Sequence, residues 1–327
     1  MSSETLPIIK EILVVRELGP RRYYLILRYE EGDAGNATGS VYVSAAARGV
    51  TLQPYLTTND SLRSFWVSPS GAVWTGSSSG RVATTAPVRF LPPQAPPVGY
   101  LREPGSPPWH VTMLPKVRLG NLPPSITAIA GTSDDDVWVG SYAGHIFHWD
   151  GVEWSQVHDG PDEGDGTIKE ILARGADDVF AVGSNETLLH FDGSGWRSIL
   201  PPGVLDRSEA FTGIHASNGE VLVSAAGPGP VGRILKGGPA GFAQLCVCDM
   251  ALRGIASVDD RLILPAGPKG IFELVGASVV PLKEGFDAVA ATSGAHTVFV
   301  IEAIQSRPSY IEFEPASADR PWRRVLA

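Results

Sequence analysis

The chain has 327 residues, a formal net charge of −9, and 43% apolar residues, ample for a core. That acidic balance argues against a general nucleic-acid binder, which needs a basic footprint to displace counterions, and against adsorption to an anionic membrane. No apolar run reaches the length of a membrane span, and the opening "MSSETLPIIKEILVVREL" lacks a basic segment leading into an apolar one, so a cytoplasmic chain without a signal peptide is expected.

From the N-terminus, "KEILVVREL", "RYYLILRYE", "GSVYVSA" and "VTLQPYL" predict four strands. A second group opens with "SFWVSPSGAVWTGSSSGRV" at 64–82. Eleven prolines then crowd the stretch between Thr85 and Ser125, which cannot be a central strand because proline lacks the ladder donor. Residues 86–124 therefore read as an insertion, either a functional loop or a semi-rigid polyproline arm, with the group's missing fourth strand at "WHVTML". Trp109, an aromatic on an exposed loop, is a candidate interface anchor.

Next comes "DDVWVGSYAGHIFHWDGVEW" (135–154), rich enough in His, Asp and Trp to suggest an active site on its own. It returns as "DDVFAVGSNETLLHFDGSGW" (177–196), with Asp150 and Asp192 spaced 42 residues apart. His148 then matches His190, and Trp154 matches Trp196. A catalytic group belongs to one assembled site, so repetition favours structure. Asp-Gly is turn chemistry: Asp accepts from nearby backbone N–H groups and Gly supplies positive φ. The following Trp buries a large ring, and Asp135 and Asp177 open another turn by the same logic.

The downstream segments 213–236, 254–274 and 288–314 keep the rhythm of apolar strand, polar turn, apolar strand, small-residue turn and third strand. The lone C-x-C, Cys246 and Cys248, reads as buried structural thiols, since an i,i+2 disulfide would be strained and two ligands make no zinc site. A period in the low forties with four strands per unit predicts an all-β, single β-propeller domain over 1–327. First strands near 9, 62, 125, 167, 210, 251 and 286 count seven four-stranded blades, with six as the alternative. An N-terminal strand that completes the last blade is a further possibility of ring closure.

The pattern "DDVWVGS…IFHWDGVEW" resembles the repeat of bacterial β-propeller proteins whose units read D-V-W-A-V-G…I-L-H-W-D-G-x-x-W. The resemblance is fullest over 125–200, partial over 62–85, and rhythmic elsewhere. It implies a fold and little chemistry. A weaker likeness to the Asp-box of sialidase-type propellers fails where that motif has Ser and Thr: here stand His148 or His190, and Glu153 or Gly195. That departure removes most of the support for a glycosidase.

Propellers bind at the mouth of the central channel, by analogy at fold level. Matched first-strand positions there are Arg63, Thr127, Lys169, Thr212, Arg253 and Asp287, all polar and different from blade to blade. Arg63, Lys169 and Arg253, with Asp287 opposing them, form either a site for an anionic ligand or peptide carboxylate, or a solvated rim. The loop "HDGPDEGDG" carries Asp159, Asp162, Glu163 and Asp165; it reads first as a solvated acidic loop, with Ca²⁺ as the alternative, because no EF-hand spacing is present. No catalytic or cofactor fingerprint stands in a fitting context, so no cofactor is expected. The reading is a non-enzymatic, monomeric scaffold for a protein partner, in one form an immunity-type or toxin-associated protein. A propeller hydrolase or lyase acting at the channel mouth is the alternative, and a lectin-like protein is third.

Overall fold

The computed structural model describes residues 9–17, 23–31, 37–45, 52–89, 101–102, 107–117, 123–160, 166–200, 209–303, 309–317 and 319–326. Strands β1 (Ile9–Glu17), β2 (Tyr23–Glu31), β3 (Ala37–Ala45) and β4 (Leu52–Thr58) pair in order as an antiparallel meander. A second sheet starts with β5 (Leu62–Val67), β6 (Val73–Ser77) and β7 (Arg81–Thr84). The chain then goes back to the first sheet, adding β8 (Leu101–Arg102) beside β4, before β9 (His110–Met113) completes the second sheet beside β7. Both strands come from the proline-rich insertion, and β9 falls inside the expected "WHVTML".

Five more four-stranded meanders follow. They begin with β10 (Ile126–Ser133), β14 (Ile168–Gly175), β18 (Ala210–Ser217), β22 (Ala256–Val258) and β26 (Ala288–Ser293). The result is an all-β propeller with six four-stranded sheets and one five-stranded N-terminal sheet; no helix occurs among the described residues. Most first strands start within two residues of expectation. The sixth starts later, at Ala256, with Gly254 at φ +154° two residues ahead of it.

The core is a set of seams, one between each pair of neighbouring sheets. Strand alternation explains how one strand serves two seams. In β11 (Asp136–Ser141), Val137 and Val139 pack toward the second sheet with Trp74 and Ile126, while Trp138 packs toward the fourth with Ile168 and Val179. The fourth sheet alternates likewise, with Val179 and Ala181 on one side and Phe180 and Val182 on the other. The last seam joins Phe299, Ile301, Tyr310 and Val325 to Ile12 and Val15 of the first sheet. The ring therefore closes by side-chain packing. The last sheet, which ends with β29 (Trp322–Leu326), contains no N-terminal strand, so closure by strand exchange does not occur among the described residues.

The glycine of the repeated "GS" motif follows from this stacking. A Cβ on Gly140 would lie 2.4 Å from Cγ2 of Ile168, the first residue of the next inner strand, and one on Gly76 would meet Ile126 at the same distance. Adjacent sheets approach so closely there that no side chain fits.

Candidate functional site in the central channel

The first strands of the sheets are innermost and pack on one another: β1 on β5 and β26, β10 on β5 and β14, β14 on β18. Among the described residues each presents one edge to the channel without a strand partner, apart from the bridge of Ala288 to Gly267. In six of them the register with the second strand slips by one residue, at Leu13, Arg63, Thr127, Lys169, Thr212 and Val289. Four of these are the matched polar positions named from the sequence. A slip of this kind bends the strand and re-aims the side chain beside it. Strand alternation alone could not foresee it.

Polar side chains then serve the free edges. Glu170 accepts from the backbone N–H of Ile214 on β18 at 3.0 Å. Thr127 Oγ donates to the carbonyl of Ile168 on β14 at 2.6 Å. The N–H of Ser257 on β22 donates to Ser293 Oγ on β26 at 2.8 Å, and the Arg16 guanidinium bonds Thr292 across the closing seam.

A cavity of about 370 Å³ opens among β1, β5, β10 and β14, within the range of small-molecule sites. Among the described residues its charged lining is Arg16, Arg63, Lys169 and Glu170, and Phe65, Trp66, Ile129 and Ile171 border it. A second cavity, of about 420 Å³, shares Arg16 and Trp66 with it and reaches Glu17 and His296 at the other end of the strands. Arg16 and Glu170 keep a partial opening to the channel while protein surrounds them. Burial pushes the Glu170 carboxyl up to about 7, against the opposing pull of the Ile214 N–H and the Arg16 charge. Burial also lowers the Arg16 guanidinium, and the Glu170 charge partly offsets this.

Of the residues expected at the mouth, Arg63 and Lys169 are exposed and line this cavity. Arg253 and Asp287 do not. They flank Gly267 at the seam between the sixth and seventh sheets, where a Cβ on that glycine would lie 3.7 Å from Arg253 Nε and 3.5 Å from Asp287 Oδ1. The single opposed ring is thereby divided into two places. Trp109 also departs from expectation. It is half-buried, edge-on to Tyr55 with centroids 5.5 Å apart, and packed in the seam between the first two sheets, so its ring is used inward and not held free on a loop. Asp159 accepts from Gln156 at 2.9 Å, while Asp162, Glu163 and Asp165 lie outside the described residues.

Two residues that the sequence reading passed over matter most here. Past the register slip, Glu170 stands where the other inner strands carry Val14, Ser64, Ala128, Gly213 and Ala290. That disagreement was visible one position beyond the residues singled out. Arg16 had only the faint signal of a charge inside an apolar strand.

The histidines of the repeat are placed elsewhere. His148, on β12 (Ile146–Trp149), lies 2.7 Å from Asp136, and His190, on β16 (Leu188–Phe191), lies 3.0 Å from Asp178. Neither lines the channel cavity, and the arrangement occurs in both sheets. The turns form as expected: Asp150 accepts from the N–H groups of Val152 and Glu153, and Asp192 from those of Ser194 and Gly195, with Gly151 and Gly193 at φ +88° and +86°. Cys246 and Cys248 are free and half-buried on β21 (Gly241–Cys248), where burial raises both thiols.

No protein-family model and no curated protein sequence matches the chain. Its fold does match solved structures. YCF48 from Cyanidioschyzon merolae superposes with a TM-score of 0.60 at 14% identity, over 96% of this chain and 98% of that one. YCF48 bound to a D1 peptide gives 0.56 at 11%, over 82% of each chain. The WD40 β-propeller domain of Doa1 gives 0.57 at 8%, over 100% of this chain and 96% of its own. In fold, then, the chain is a β-propeller, similar to these structures.

Proposed function

We propose that the protein is a non-enzymatic scaffold that binds a protein partner through the face where the inner strands begin. The observation that carries this reading is the pair of exposed cations, Arg63 and Lys169, at a channel mouth where the blades differ from one another. Rim charges of that kind steer and select partners. The fold is one on which a similar structure, YCF48, holds a D1 peptide. A net charge of −9 suits a basic partner elsewhere on the surface, as in an immunity-type protein that blocks an effector. The resemblance of the repeat to bacterial propellers fits such a role, carried out in the cytoplasm.

The enzymatic alternative draws less support. A hydrolase or lyase needs convergent titratable groups, and among the described residues Glu170 is the one carboxylate lining the cavity among β1, β5, β10 and β14, and Glu17 the one lining the second. The His–Asp pairs sit on the second and third strands of their sheets and do not line that cavity.

The test is affinity capture on the full chain from its native cell, comparing wild type with the double variant Arg63→Glu, Lys169→Glu. A stoichiometric protein recovered with wild type and reduced at least about tenfold with the variant is expected, as removal of a steering pair implies. Recovery of no protein, or equal recovery by both, overturns the reading.

A further inference from the structure

We infer that the channel cavity among β1, β5, β10 and β14 binds one small organic carboxylate, gripped by Arg16, flanked by Arg63 and Lys169, and completed by a hydrogen bond donated from the Glu170 carboxyl. The site shares Arg63 and Lys169 with the partner face but reaches inward from them to Arg16 and Glu170, and nothing in its chemistry requires a macromolecule.

The charge count comes first. Among the described residues, three cations and one carboxylate line the cavity, although the chain as a whole carries −9. A cleft of one sign with low-dielectric walls concentrates counter-ions of the other. Arg16 is the innermost cation. Its Thr292 bond and the main-chain carbonyl of Val15, 3.4 Å from Nη1, hold the guanidinium across the closing seam, and that planar fork suits a carboxylate.

The walls come second. Trp66 is partly exposed, and the largely buried Phe65, Ile129 and Ile171 border the cavity beside it, an apolar side that suits the body of an organic acid better than a phosphate dianion. Glu170 also discriminates. One of its oxygens is occupied by the Ile214 N–H, which leaves the other to meet a ligand. Protonated, that oxygen donates to a carboxylate; ionised, it repels one.

Binding should therefore take up a proton. The carboxyl already titrates at about 7, and a bound anion raises it further. The other titratable groups that line the cavity with it, among the described residues, are Arg16 on β1, Arg63 on β5 and Lys169 on β14 itself. Of the rest, Glu17 on β1 lines the second cavity, Arg174 on β14 is paired with Asp178, and β18 carries His215; β10 carries none. Burial lowers His215, so it does not supply the competing proton near neutrality. Asp178, on the strand paired with β14, is engaged by Arg174 and His190.

Isothermal titration of the full chain with benzoate, with inorganic phosphate as comparator, tests this. Saturable one-to-one benzoate binding is expected, weakening about tenfold between pH 6.5 and pH 8.5 as Glu170 ionises. Glu170→Gln should bind at the higher pH as wild type does at the lower and lose that slope. Arg16→Met should abolish binding; because it also removes a seam contact, its fold is checked by thermal melting, and Lys169→Ala, on the exposed rim, should weaken binding several-fold whatever Arg16→Met does. No saturable benzoate binding by folded wild type, phosphate binding as tightly as benzoate, an unchanged pH slope in Glu170→Gln, or full affinity in Lys169→Ala overturns the assignment. A failure here leaves the capture experiment untouched, since that one reads a protein partner.

Discussion

Nε2 of His148 lies 2.7 Å from Oδ1 of Asp136, across two paired strands of the third sheet. The imidazole is stacked on Trp138 with ring centroids 4.0 Å apart. Trp138 Nε1 donates to the same Asp136 oxygen at 2.9 Å, and Thr132 bonds the other oxygen. One carboxylate thus serves three donors beside a fully buried indole. Asp136→Ala should destabilise the protein by about 2–4 kcal/mol, because it strands buried donors rather than removing a balanced pair. Chemical denaturation of purified variant and wild type measures it, and a loss under about 0.5 kcal/mol would sink this account.

The same carboxylate has a signature in acid. Burial works to raise Asp136, but the bonds from His148, Thr132 and Trp138 outweigh it and hold the group below its usual value. A depressed carboxyl contributes stability above its unfolded pKa of about 4 and loses it as pH falls through the folded value. Asp136→Asn should therefore lose stability at neutral pH and show a flatter decline below about pH 4 than wild type. Melting temperature as a function of pH decides this.

Glu170 has the opposite sign. Its folded carboxyl is raised to about 7, so its contribution is full below the unfolded value and is lost as pH rises through the folded one. Glu170→Gln keeps an acceptor for the Ile214 N–H without the charge. It should melt several degrees higher than wild type above pH 7 and at a similar temperature in mild acid. A variant that is less stable at both would show that the ionised carboxylate is the favoured form.

Gly140 tests the stacking of the sheets. Alanine there brings a Cβ within 2.4 Å of Ile168 Cγ2, a fully buried side chain with no room to retreat. A loss of about 1–3 kcal/mol is expected for Gly140→Ala, the usual scale of overpacking. Gly175→Ala is the control, since the nearest atom there is 3.5 Å away.

The insertion makes the last test. Its β8 pairs Leu101 with Thr57 and Arg102 with Leu56, so it covers an edge of the first sheet as well as leading to β9. Replacing residues 86–108 with a flexible linker should speed hydrogen exchange along β4 and lower the melting temperature. A free arm would leave both unchanged, which is the outcome expected from the proline content alone.

The sequence by itself determined what depends on neighbours along the chain. Alternation of apolar residues set the strands, Asp150-Gly151 and Asp192-Gly193 set their turns, and the 42-residue spacing showed that His148 and His190 belong to a repeated frame. These signals are local, because an Asx turn or a strand period is completed within a few residues. Arg63 and Lys169 were legible as well, since matched positions that disagree are where one site can differ from its copies. Only the tertiary structure decided the rest. The slips at Arg63, Thr127, Lys169 and Thr212, the return of β8 to the first sheet, the packing of Trp109 on Tyr55, and the meeting of Arg16 with Glu170 all join residues far apart in the chain. Ring closure brings the first strand against the last, and an arginine at position 16 can share a cavity with a glutamate at 170 only after every blade between them has stacked.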